Sequence, residues 1–120
     1  MESMKVIIAG SRTITDYQVV EEAIKESGFN IVEVVSGKAK GIDRLGELYA
    51  ELNDLYIKPF WADWHRYGKA AGPIRNKNMA DYADGLIAIW DGQSRGTKNM
   101  IDIARSKGLK IYVKDLGKSA

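Results

Sequence analysis

Four glycine-bearing segments carry most of the residues able to do chemistry in this 120-residue chain. They are Gly10-Ser11-Arg12, Ser36-Gly37-Lys38-Ala39-Lys40-Gly41-Ile42-Asp43-Arg44, Gly72-Pro73-Ile74-Arg75-Asn76-Lys77 and Gly92-Gln93-Ser94-Arg95-Gly96-Thr97-Lys98. Glycine lets a backbone turn tightly and leaves amide hydrogens open to an anion, which the dipole of a following helix also favours. Windows 10–15, 36–44, 72–77 and 92–98 hold eight of the 18 Lys/Arg but one of the 16 Asp/Glu, an excess of +7 against −5 elsewhere. Cations near helix N-termini are disfavoured by about 0.3–1 kcal/mol each. A bound polyanion accounts for that placement. The blander reading is turn punctuation with tolerant surface lysines.

Each single residue has two readings. Arg75, expected in the first turn of a helix, needs an anionic partner, either a ligand or Asp81 or Asp84. Ser36 and Thr97 offer hydroxyls to phosphate or act as plain caps. Asp43 accepts from a ribose hydroxyl or caps its helix. Asp91 ends a strand where ligands bind, yet an Asp before Gly92 also makes a turn. Trp64-His65-Arg66-Tyr67 closes over a base by stacking or pins its loop as an apolar anchor. Trp61 and Trp90 are expected in the core.

Five apolar runs must position these segments: Lys5–Ala9, Ile31–Ser36, Leu55–Trp61, Gly85–Trp90 and Lys110–Val113. Most are continuous rather than alternating, as in parallel strands buried on both faces. Helical stretches separate them. Val19, Val20, Ala23 and Ile24 form one face behind a Thr15–Gln18 capping box, with Gly28 as the stop. Leu45, Leu48, Tyr49 and Leu52 form the second helix's expected face. A third helix is expected from Pro73 to about Ala83, and a fourth over Thr97–Lys107, ending at Gly108. The alternation predicts a Rossmann-like three-layer α/β/α domain over residues 1–120, with a mainly parallel five-stranded sheet. Ligands bind at the carboxyl ends of such strands, where the four segments fall. Ala62–Gly72 reads as one long irregular loop.

Composition excludes some classes. Without cysteine there are no disulfides or thiolate metal sites, and a single histidine, His65, rules out a histidine-rich one. No metal or cofactor is expected. No apolar run approaches the roughly 18–20 residues that span a bilayer, so a cytoplasmic protein without membrane contact is expected. Residues 1–3 read as an incidental leader. The net charge of +2 is too small to argue for nucleic acid.

These residues carry a family resemblance. Gly10-Ser11-Arg12, Ser36-Gly37-x-Ala39-x-Gly41-Ile42-Asp43, Ala62-Asp63-Trp64, Gly68-Lys69-Ala70-Ala71-Gly72-Pro73-Ile74-Arg75-Asn76 and Asp91-Gly92-x-Ser94-x-Gly96-Thr97 resemble the SLOG superfamily. That Rossmann-like group contains the Smf/DprA and Lonely Guy proteins, and the Gly68–Asn76 stretch points to its YspA/YpsA-like branch. The resemblance implies a site above strands one, two and four, a nucleotide or nucleotide-derived ligand such as an ADP-ribose-like molecule, and a homo-oligomer. The expected ligand-binding residues are Gly10, Ser11, Arg12, Ser36, Gly37, Gly41, Asp43, Arg75, Asn76, Ser94, Gly96 and Thr97.

Whether the ligand is sensed, sequestered or cleaved stays open. Lonely Guy enzymes cleave N-glycosidic bonds of nucleotides, and their arginine matches Arg75. Their glutamate three residues past the Gly-Thr threonine corresponds to Met100 here. Asp102 lies about 200° further round the helix and cannot stand in for it. Arg75, Asp43 and Asp91 are the catalytic candidates, but binding is expected ahead of catalysis. Single-stranded DNA binding, by analogy with DprA, is the third reading.

Overall fold

The computed structural model describes residues 2–117. Five parallel strands, β1 (Ser3–Gly10), β2 (Asn30–Ser36), β3 (Tyr56–Pro59), β4 (Gly85–Trp90) and β5 (Lys110–Asp115), pair in the order β3-β2-β1-β4-β5. The helices are α1 (Tyr17–Ser27), α2 (Ile42–Leu52), the short α3 (Trp64–Tyr67), α4 (Ala71–Tyr82) and α5 (Arg95–Ser106).

Alternation along β1 sorts the core into two layers. Val6 and Ile8 pack with Val20, Ala23 and Ile24 of α1 and Ile42 and Ala50 of α2. Ile7 and Ala9 pack with Met79 and Ala80 of α4 and Met100, Ile101 and Ala104 of α5. Successive strand side chains point to opposite faces, so apolar runs without alternation require helices on both sides. The three-layer α/β/α expectation holds. The chain runs outward from β1 through β2 to β3, then returns to place β4 on the other side of β1. Loops therefore diverge above the β1–β4 boundary, which leaves a crevice there.

The sequence expectations need local corrections. Asp16, not Thr15, caps α1, its side chain accepting from the Gln18 N–H at 3.0 Å. Gly28 stops that helix in the left-handed region, at φ 70°. In α2 the buried face is Ile42, Asp43, Gly46, Glu47 and Ala50, whereas Leu48 and Leu52 are exposed. Small residues win because α2 lies close to the sheet: a Cβ on Gly46 would come 2.8 Å from Ile8. The Ala62–Gly72 stretch is not irregular. It contains α3, capped by Asp63, and a 3-10 turn at Gly68–Ala70 that leads into α4. Helix α4 thus begins at Ala71, two residues before Pro73, and Arg75 falls past its first turn. A proline third in a helix is tolerated because the first N–H groups lack intrahelical partners anyway.

Candidate functional site

A cleft of about 640 Å³ opens above the carboxyl ends of β1 and β4. Its floor comes from Ala9, Gly10 and Ser11, and its walls from the starts of α4 and α5. Gly10 is required by packing: a Cβ there would lie 2.2 Å from the Ile89 carbonyl and 2.7 Å from Ile42. Ser11 is buried, and its Oγ accepts from the Asp91 N–H at 3.1 Å, tying the two strand ends together.

The α5 wall is a preformed turn. Asp91 Oδ1 accepts from the N–H groups of Gln93 (2.8 Å) and Ser94 (2.7 Å). The Ser94 and Gln93 amides hold the Asp91 carboxyl below its usual range. Asp91 is therefore a turn builder at the cleft's edge, engaged with backbone. Ser94 is the N-cap of α5, accepting from the Thr97 N–H at 3.4 Å and the Thr97 hydroxyl at 3.0 Å. Gly96 is exposed, and a Cβ there would meet nothing within 4 Å. With Ser94, Arg95 and Thr97 it brings the amide end of α5 to the cleft, where the helix dipole favours an anion.

The α4 wall carries Arg75, whose guanidinium is partly buried. Its Nη1 donates to the Gly37 carbonyl at 2.7 Å and its Nε to Asn76 Oδ1 at 3.0 Å. Neither acceptor is charged, and no carboxylate lies within ion-pair distance among the described residues. The salt-bridge alternative fails: Asp81 pairs with Lys77 and Lys107, and Asp84 accepts from the Lys5 N–H. Burial pulls the Arg75 pKa down, Asp43 opposes that and Arg12 adds to it. The group remains a cation. Asn76 is a fixed strut: its amide donates to Asn99 Oδ1 at 2.9 Å and the Gly96 carbonyl at 3.4 Å, joining α4 to α5.

Asp43 reaches the cleft from α2 while 5% exposed. Its Oδ2 accepts from the Ala39 N–H at 3.2 Å. Burial pushes its carboxyl up to about 6, with the Ala39 N–H and Arg75 pulling the other way. It is the one acid in the cleft held near neutrality, the condition a general acid or base needs.

Other expected site residues lie behind the cleft. Ser36 is fully buried, its Oγ donating to Glu47 Oε2 at 2.6 Å. Gly41, at φ 73°, sits where a Cβ would be 2.4 Å from the Ser11 carbonyl and 2.6 Å from Arg12 backbone. Gly37 lies against Asp43 and Arg75. Ser36 and Gly41 support the loops that hold the lining residues, and Gly37 itself lines a pocket adjoining the cleft. The charge excess is also partly internal: Lys38 pairs with Glu47, Lys77 with Asp81 and Lys98 with Asp102. Arg12, Arg75 and Arg95 line the cleft without an ion pair among the described residues.

Sequence reasoning left out Thr13, Lys69, Met79 and Asn99, which also line the cleft. Lys69 lies inside the Gly68–Asn76 motif, in the 3-10 turn two residues before α4, and its place in that motif is the available signal. Met100 is buried in the wall, while Asp102 is exposed and paired with Lys98 at 2.9 Å. Trp90 is half-buried against the α4–α5 core layer, but Trp61 is 69% exposed because β3 ends at Pro59. Trp64 lines the cleft, half-exposed at 50% and lying against Gly72, and no residue of α3 is fully buried. Among the described residues no group of three or more acids and histidine is placed to hold a metal, and no helix is long and apolar enough to cross a membrane.

A family model described as the YspA, cpYpsA-related SLOG family matches residues 4–67. The chain is 32% identical to the Gene 61 protein of Mycobacterium phage D29 over 117 residues, covering 89% of this chain and 93% of that protein. Its fold resembles DNA processing protein A (DprA) of Streptococcus pneumoniae, with a TM-score of 0.72 at 22% identity over 91% of this chain. The chain spans about half of that structure, 49% of its length. At this identity the likeness to DprA is one of fold.

Proposed function

The chain belongs to the YspA, cpYpsA-related SLOG family, and from that premise we propose that it binds a nucleotide or nucleotide-derived phosphate compound in the cleft above β1 and β4. Arg75 carries this reading. Its charge is fixed by two neutral acceptors, partly buried, and left without a carboxylate in ion-pair contact. A partly buried cation whose nearby carboxylate, Asp43, acts on it without an ion-pair contact favours a ligand that supplies further counter-charge. A phosphate between Arg75, Arg12 and the first amides of α5 does so. The cleft's volume is within the 300–1,000 Å³ or so typical of small-molecule sites. Ser11, Ser94 and Thr97 line it with polar groups, and Asp43 is available to a ribose hydroxyl.

Titration calorimetry with ADP tests this. Saturable one-to-one binding with weak salt dependence is expected, since a small ligand engages few phosphate sites. Absence of heat and of thermal stabilisation with ADP would remove the reading. A second reading, cleavage of the ligand's N-glycosidic bond, is favoured by one observation, the cleft-facing Asp43 with its carboxyl near 6. Release of free base from a bound nucleotide, lost in Asp43→Asn, would support it; intact nucleotide after prolonged incubation would exclude it.

A further inference from the structure

The cleft adjoins a second lobe of about 370 Å³ on the β2–β3 side. Arg12, Ala39, Trp64 and Arg75 line both lobes and so mark the junction. Among the described residues no acid lines the second lobe, where Lys38 and Lys40 join the two junction arginines. Its remaining wall holds an unusual feature: two indoles, Trp61 and Trp64, that are exposed by 69% and 50% and belong to neither core layer. Lys38 is fixed beside them. Glu47 holds its Nζ at 3.0 Å, and that Nζ stands 5.8 Å from the centre of the Trp61 ring.

Exposed indoles beside cations are what a stacked base with a neighbouring phosphate requires. The first lobe is already large enough for a mononucleotide, which leaves the second without an occupant. We propose that the second lobe takes a second nucleoside of the same ligand. The ligand class is then a dinucleotide, two nucleosides joined through phosphates, with those phosphates over Arg12 and Arg75 at the junction. This rests on the reading of the first lobe as a nucleotide site.

The test compares ADP with P1,P2-diadenosine diphosphate by calorimetry on the wild type and Trp61→Ala. Trp61 lies outside the core, so the variant is expected to fold. The dinucleotide should bind wild type at least about fivefold more tightly than ADP, as stacking of one base on an indole gives. Trp61→Ala should abolish that advantage and leave ADP affinity unchanged. ADP binding with no dinucleotide advantage would overturn the second lobe alone, as would an advantage that survives Trp61→Ala. Binding of neither compound would remove the nucleotide reading itself, and this one with it. Tighter binding of a twelve-residue oligothymidylate than of the dinucleotide would assign the lobe to a strand instead. A change in sedimentation on Trp61→Ala without a change in affinity would assign the indoles to a contact between copies.

Discussion

Replacing Arg75 by alanine removes a partly buried cleft cation that has no carboxylate in ion-pair contact among the described residues. The side chain makes two hydrogen bonds inside the protein, to the Gly37 carbonyl and Asn76 Oδ1. Each is worth about 0.5–1.5 kcal/mol net, so the variant should remain folded with its melting temperature lowered by a few degrees. A charge-assisted bond to phosphate is worth about 1.5–3 kcal/mol, so ADP affinity should fall between about tenfold and a hundredfold. Arg75→Lys separates charge from geometry. A single ammonium cannot reach both protein acceptors and still face the cleft, so an intermediate loss is expected. The variant also has an internal readout. Arg75 lowers the Asp43 pKa, so without it that carboxyl should titrate above about 6. Calorimetry gives the affinity, and carboxyl chemical shifts followed against pH give the titration. Unchanged ADP affinity in a folded Arg75→Ala protein would refute the assignment of Arg75 to the ligand.

Three further outcomes follow from the same geometry. The folded pKa of Asp43, about 6, lies above the ordinary 3.8, so its contribution to stability is fully present below about pH 4 and lost as pH rises through 6. Asp43→Asn should therefore gain stability relative to wild type between pH 4 and 8, by on the order of 3 kcal/mol, in denaturant unfolding; a difference independent of pH would contradict this. Gly41→Ala, forced to φ 73° against the Ser11 carbonyl, should lose at least about 2 kcal/mol, whereas Gly96→Ala, with open space around it, should keep or gain stability while weakening ADP binding. Equal melting temperatures for the two would show the turn to be tolerant. Ser36→Ala leaves buried Glu47 with one partner and should cost about 1–3 kcal/mol with ADP affinity unchanged; loss of affinity at unchanged stability would return Ser36 to the ligand site.

How much the sequence disclosed depends on the range of the interaction involved. Strands were legible because burial on both faces leaves continuous apolar runs such as Leu86–Ile89, and the order of elements left little choice of topology. The rim of glycines and cations was legible because those residue types have few other reasons to gather there. Short-range competition was not. Thr15 and Asp16 both cap well, and only the chain's path selects Asp16. Helix α3 has no buried face, so periodicity carries no trace of it. In α2, Leu45 and Tyr49 pack against the core as expected, but close approach to Ile8 puts Gly46 on the buried face while Leu48 and Leu52 are exposed, an effect of the sheet that residue hydrophobicity does not encode. Ser36 was misplaced for a related reason: its partner, Glu47, lies eleven residues away on another element. The same partner neutralises Lys38, and with Lys77 and Lys98 paired too the rim is less cationic than its composition suggests.

An ADP titration followed by amide and arginine Nε–H resonances would test the central claim directly. The account predicts saturable shifts at Gly10–Thr13, at Ser94–Thr97 and at the Arg75 side chain, the groups that line the cleft above β1 and β4. Saturation that moves other surfaces and leaves these still, or no shift at all at high ADP, would contradict it.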